Sequence, residues 1–154
     1  TRFTIQAPGT LDGGDVLTVG KTIFVGLSGR SNKTAIIQVE AFLAPFGYTV
    51  KGVAFENCLH LKSAVTLVRA DTLLINPCWV DKKSFPGMRF IAIDPSEPYA
   101  ANALMVGERV LSQPAFPKTL ALLEAEDIRP IQVDQSELGK AEGALTCCSL
   151  IFRS

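Results

Sequence analysis

The sequence predicts an α/β fold built from a repeated ββαβ unit, with the repeats set about an axis in the manner of a propeller. Three observations predict it. A short β-rich run, a tight turn and a second β-rich run recur three times along the 154 residues. Each hairpin leads into a segment of different character and then into another strand-like run, the alternation of an α/β chain. No linker or low-complexity tract interrupts the pattern, so residues 1–154 read as a single domain.

The first hairpin pairs 15–19 with 22–26 across Val19-Gly20-Lys21. A helix over 33–43 follows, because Ile36, Val39 and Leu43 recur at helical spacing, Ser31 or Asn32 can cap the start, and Pro45 and Gly47 end the run. A strand over 48–55 completes the unit. The second hairpin pairs 64–68 with 72–75 across Arg69-Ala70-Asp71; a short segment at 81–85 and a strand at 89–93 come next. The third pairs 103–106 with 109–111 across Val106-Gly107-Glu108 and continues into a helix over 116–125. Pro117 falls in that helix's first turn, where its missing N–H costs nothing, under Leu120, Ala121 and Leu123. A strand over 128–133 closes the third unit, and a further β-rich segment, 143–152, ends the pattern.

Composition excludes several functions. Hydrophobic residues make up 47% of the chain, and 15 basic side chains balance 15 acidic ones. That balance gives neither nucleic acid nor an anionic membrane a charge to seek. No apolar run approaches the ~20 residues of a membrane span, and the start has no signal-peptide pattern, so the expected location is the cytoplasm. The four cysteines, Cys58, Cys78, Cys147 and Cys148, match neither a zinc frame nor a secreted disulfide scaffold and are expected as thiols.

Three clusters carry chemistry. Leu59-His60-Leu61-Lys62-Ser63 holds the chain's one histidine, the side chain that can give and take a proton near neutrality. Read as a strand, it puts Leu59 and Leu61 on one face and His60 and Lys62 on the other. A lone histidine is, however, more often structural or merely exposed. In 143–152 alternation sets Cys147 with Ser149 on the more polar face and turns Cys148 inward with Leu150 and Phe152. Free cysteines are also commonly small buried hydrophobes. Leu11-Asp12-Gly13-Gly14-Asp15 can aim side chains at a site or be an ordinary turn. A thiol, an imidazole and a carboxylate are the parts of an activated-thiol site.

These segments, with Phe24-Val25-Gly26-Leu27-Ser28-Gly29-Arg30-Ser31-Asn32 and Lys140-Ala141-Glu142-Gly143-Ala144-Leu145-Thr146-Cys147-Cys148-Ser149, resemble in order and separation the dimethylarginine dimethylaminohydrolases. That family belongs to a superfamily with arginine deiminases and amidinotransferases. The resemblance covers essentially the whole chain. It implies a pseudo-symmetric propeller of five ββαβ modules, of which about three and a closing strand are expected here, as the C-terminal part. It also implies Cys147 as nucleophile, His60 as acid and base, Asp12 as the carboxylate that orients the histidine, Arg30 as a partner for the substrate α-carboxylate, and Ala141 and Glu142 as lining for its guanidinium end.

The implied reaction hydrolyses a C–N bond of a guanidino substrate through a thiouronium on Cys147, with no metal or organic cofactor. Two alternatives are an amidinotransferase of the same superfamily and a non-catalytic remnant. The acidic residues that hold the guanidinium in the family have no counterpart in this sequence. A homo-oligomer, or association with an N-terminal segment, is expected, and the isolated chain is expected to be inactive.

Overall fold

The computed structural model describes residues 2–141 and 143–151. It contains three three-stranded sheets of one design, in which a hairpin is followed by a crossover to a third strand parallel to the second.

In the first sheet β1 (Val16–Val19) pairs antiparallel with β2 (Thr22–Leu27), and β2 pairs in parallel with β3 (Thr49–Ala54). The crossover is α1 (Lys33–Leu43), which starts where the Asn32 side chain accepts from Ala35 N–H and runs into a 3₁₀ turn, Ala44–Phe46, that stops at Gly47, whose φ of 76° suits a residue without Cβ. The second sheet sets β4 (Val65–Arg69) beside β5 (Thr72–Ile75) and β6 (Arg89–Ala92). Its crossover holds only a 3₁₀ turn, Lys82–Ser84. All four residues of β5 are buried. Both its faces are therefore covered, and each large apolar side chain there contributes roughly 1.5–3 kcal/mol.

The third sheet consists of β7 (Leu104–Val106), β8 (Arg109–Ser112) and the two-residue β9 (Ile131–Gln132), with α3 (Pro117–Ala125) as crossover. Two single helical turns, α2 (Leu61–Ala64) and α4 (Ser136–Gly139), lie outside the crossovers. Pro117 does occupy the first turn of α3. The buried Glu97 carboxylate accepts from the N–H groups of Lys118 and Thr119 there, at 3.0 and 2.8 Å. Leu120 and Leu123 face the core, whereas Ala121 is exposed.

The modules pack in succession, β1 against β4 and β4 against β7. One apolar cluster joins the first two through Phe24, Leu61, Leu73 and Phe85; a second joins the next two through Val68, Leu74, Val110 and Leu123. No helix of the described residues is long and apolar enough to cross a membrane.

Two expectations fail. Leu59–Ser63 is not a strand: His60 is extended, α2 begins after it, Leu59 is 47% exposed, and Leu61 is fully buried. The segment from Ala144 to Ser149 forms turns rather than a closing strand. Cys148 N–H donates to the Ala144 carbonyl at 3.1 Å and Ser149 Oγ–H to the Leu145 carbonyl at 2.7 Å. Such local bonds engage groups that a ladder would need. Cys148 is exposed rather than turned inward; Phe152 lies outside the described residues.

Candidate active site

Asp12 caps a 3₁₀ turn over Gly13–Asp15, accepting from Gly14 N–H at 2.8 Å. Its own N–H donates to the buried Ser31 Oγ at 2.9 Å, which ties the turn to the residues before α1. The Gly14 bond holds the Asp12 carboxyl below its ordinary value, and His60 and Arg30 add to this against the opposing effect of burial.

The His60 ring lies directly on this turn. A Cβ at Gly14 would come within 2.5 Å of the ring, so the absence of a side chain is what admits the imidazole. Nε2 stands 3.4 Å from Asp12 Oδ1, close enough for charge interaction, though it forms no well-aligned hydrogen bond among the described residues. Nδ1 stands 3.9 Å from Cys147 Sγ. Cys147, His60 and Asp12 thus adjoin one another, the imidazole with one nitrogen toward the thiol and the other toward the carboxylate. His60 is 8% exposed and therefore buried, not set on the face of a strand beside Lys62 as alternation suggested.

Arg30 reaches the same place from the loop after β2, with Nη1 3.6 Å from Asp12 Oδ2. In this arrangement its charge lies on the carboxylate that faces His60. Cys147 and His60 open into a cavity of about 460 Å³, and Arg30 into an adjoining recess of about 440 Å³ that shares Cys58 and Leu59 as walls. A substrate bridging the two would lie over those residues. Ala141 is exposed and is not among the cavity's lining residues, although Gly139, Gly143 and Ala144 around it are. Ala141 N–H already donates to the Leu138 carbonyl at 3.0 Å. The expected contribution of Glu142 lies outside the described residues.

Asp15 has a role that the sequence pattern does not reveal. It is fully buried; Oδ1 accepts from Leu61 N–H at 3.0 Å and Oδ2 from Ser28 Oγ–H at 2.6 Å. One carboxylate thereby fixes the residue after His60 and the loop that carries Arg30, because Ser28 Oγ also accepts from the N–H groups of Arg30 and Ser31. The second aspartate of Asp-Gly-Gly-Asp, placed just before an apolar strand, was the signal available.

Cys58 shares the cavity but is a poor nucleophile. Burial pushes its thiol up to about 11, and Sγ–H donates to the His60 carbonyl at 3.4 Å. Half-buried Lys62 has its ammonium drawn below the ordinary value by burial, against the pull of Cys147, Asp12 and Asp15.

No protein-family model matches the chain. The N(G),N(G)-dimethylarginine dimethylaminohydrolase of Streptomyces coelicolor is 42% identical over 150 residues, 97% of this chain and 57% of that protein. The enzyme of that name from Pseudomonas aeruginosa is 36% identical over 148 residues, covering 96% of this chain and 58% of its own length. A solved structure of a mutant of the Pseudomonas enzyme complexed with citrulline superposes with a TM-score of 0.88 at 35% identity, covering 96% of this chain and 58% of that one. The chain thus spans a little under three fifths of the relatives it matches. Across nearly all of its own length, sequence and fold together place it in the dimethylarginine dimethylaminohydrolase family.

Proposed function

We propose that this chain carries the nucleophile, the acid/base and the orienting carboxylate of an enzyme that hydrolyses a dimethylarginine-type guanidino compound to citrulline and an amine. The observation that carries the reading is the relay from Cys147 Sγ through His60 to Asp12, at 3.9 and 3.4 Å.

In this reading His60 takes the Cys147 proton, and the thiolate attacks the guanidinium carbon, forming a C–S bond. His60 returns the proton to the substituted nitrogen. The C–N bond breaks, the amine leaves, and a thiouronium remains on Cys147. Neutral His60 next removes a proton from water, whose oxygen attacks the same carbon; the C–S bond breaks and citrulline departs. Asp12 orients the imidazole and stabilises its cation between the two transfers.

The cavity lining among the described residues has no carboxylate to hold the guanidinium. We therefore read residues 1–154 as the C-terminal modules of a larger five-module ring that supplies those groups, whether in the same chain or by association, including with further copies. The four free thiols suit a cytoplasmic enzyme.

The test is citrulline release from asymmetric dimethylarginine by the full-length protein, with and without an added acceptor amine. Cys147→Ser should abolish release and leave the fold intact. Transfer of the amidino group to the amine in preference to water would replace hydrolysis by amidinotransfer. No turnover and no covalent adduct would overturn the reading.

A further inference from the structure

The Cys147 relay depends on a loop with few bonds to the rest of the molecule. Between Gly143 and Ile151 the backbone bonds are local, linking Gly143 to Leu138, Cys148 to Ala144 and Ser149 to Thr146. Among the described residues, and apart from the 3.9 Å approach of Cys147 Sγ to His60 itself, the direct hydrogen bonds from this segment to anything before Leu138 go to one side chain, Asn102. Its Oδ1 accepts from Thr146 N–H at 3.2 Å, and its Nδ2 donates to Thr146 Oγ1 at 3.0 Å. Thr146 immediately precedes Cys147.

The same Nδ2 donates to the Lys62 carbonyl at 3.2 Å, two residues after His60. One amide therefore spans the nucleophile loop and the histidine turn. The arm itself is fixed, since Thr66 Oγ1–H donates to the Ala101 carbonyl at 2.6 Å and accepts from Ala103 N–H at 3.3 Å, bolting both flanks of Asn102 to β4. Asn102 is 4% exposed and Thr146 6%. Both amide hydrogens and the carbonyl oxygen are engaged within the protein, so although Asn102 borders the cavity its amide acts as a brace.

We propose that Asn102 is the positioning residue that holds Cys147 against His60. The proposal rests on the thiol-hydrolase reading for its kinetic consequence, but the geometry it describes can be tested without turnover. Deleting the amide frees the loop and removes one bond to the histidine turn, which Asp15 still holds at Leu61 N–H beside His60.

The experiment uses the full-length protein and two readouts: citrulline release from asymmetric dimethylarginine, and the rate of Cys147 alkylation by iodoacetamide across pH, followed by mass spectrometry. Asn102→Ala should lower kcat about 100-fold, the scale of loss for a misplacement of about an ångström, and change KM by less than about threefold. Its alkylation profile should coincide with that of His60→Ala, which a general loss of stability would not produce. Thr146→Val keeps the side-chain size and removes one bond; it should lose about tenfold in kcat. Thr146→Ser should restore most of that loss. This pair decides the matter if Asn102→Ala does not fold. Folded Asn102→Ala with kcat within about twofold and an unchanged alkylation profile overturns the proposal, as do equal rates for the two Thr146 variants. If the unaltered protein releases no citrulline, the substrate reading fails alone, and the alkylation profiles still decide the brace.

Discussion

Replacing Gly14 by alanine isolates the contact that seats the histidine. Gly14 is not in the positive-φ region, so an alanine backbone is tolerated there and the effect comes from the methyl group alone. That methyl would lie 2.5 Å from His60 Cγ, 2.6 Å from Cδ2 and 2.8 Å from Nδ1. To reach an ordinary carbon contact of about 3.5 Å, the ring must move by about 1 Å. Such a shift disturbs both the 3.4 Å approach to Asp12 and the 3.9 Å approach to Cys147. It should reduce kcat about 100-fold, while overpacking costs about 1–3 kcal/mol of stability. Gly13→Ala is the matched control, because a Cβ at Gly13 meets nothing within 4 Å. Steady-state citrulline release with thermal melts of both variants separates activity from folding. Gly14→Ala turning over as fast as Gly13→Ala would refute the claim that the bare backbone seats the imidazole.

Under limited iodoacetamide at pH 8, Cys147 should label before Cys148, which is also exposed, and Cys58 should stay unlabelled because burial holds its thiol near 11; peptide mass spectrometry reads all three. Arg30→Ala should raise KM about tenfold or more for a substrate with an α-carboxylate, and far less for its decarboxylated analogue. The lowered Asp12 carboxyl stabilises the fold in full above its ordinary pKa of about 4, and this contribution is lost as pH falls through the depressed value. The Tm difference between the unaltered protein and Asp12→Asn should therefore be constant above pH ~4 and shrink progressively below it, as the carboxyl protonates through its depressed value. Residues 1–154 expressed alone should release citrulline at no more than about a hundredth of the full-length rate, since the described cavity wall offers the guanidinium no carboxylate.

Periodicity and turn chemistry carried the sheets. β5 falls where the β-rich run after Arg69-Ala70-Asp71 puts it, and α1 where the Asn32 cap and the Pro45–Gly47 stop put it. The misreadings lie where a long-range polar contact outweighs local pattern. Leu59-His60-Leu61-Lys62 alternates like a strand, but the Asp15 carboxylate, 46 residues away, takes Leu61 N–H, and Ser63 N–H returns to the His60 carbonyl. Alternation cannot register that capture. The end of the chain is β-rich in composition, yet Asn102 takes the Thr146 N–H, and serine and cysteine groups satisfy nearby carbonyls. Of the site, the residues named through the family wording, Cys147, His60, Asp12 and Arg30, do meet, whereas Asp15, Gly14 and Asn102 had to be found from their contacts.

The positions of these residues follow from the repeat. Asp12 precedes β1 across the Gly13–Asp15 turn, and His60 precedes β4 across the Leu61–Ala64 turn. Asn102 precedes β7 after a turn in which its N–H donates to the Tyr99 carbonyl. Each is therefore the polar side chain at the entry to the first strand of its module. Because β1 packs against β4 and β4 against β7, the three entries lie side by side at one end of the packed strands. A carboxylate, an imidazole and an amide reach a common centre without any module departing from the shared fold. Cys147 comes from the loop beyond the third module, with no strand entry of its own, and the residue before it, Thr146, is bonded to Asn102, which has one. Exchanging the polar side chain at any one entry should alter the chemistry at the centre and leave the sheets as they are, a separation that circular dichroism and kinetics on Asp12→Ala, His60→Ala and Asn102→Ala can measure together. Loss of sheet signal in any of the three would show that the entry residue holds its module as well as the site.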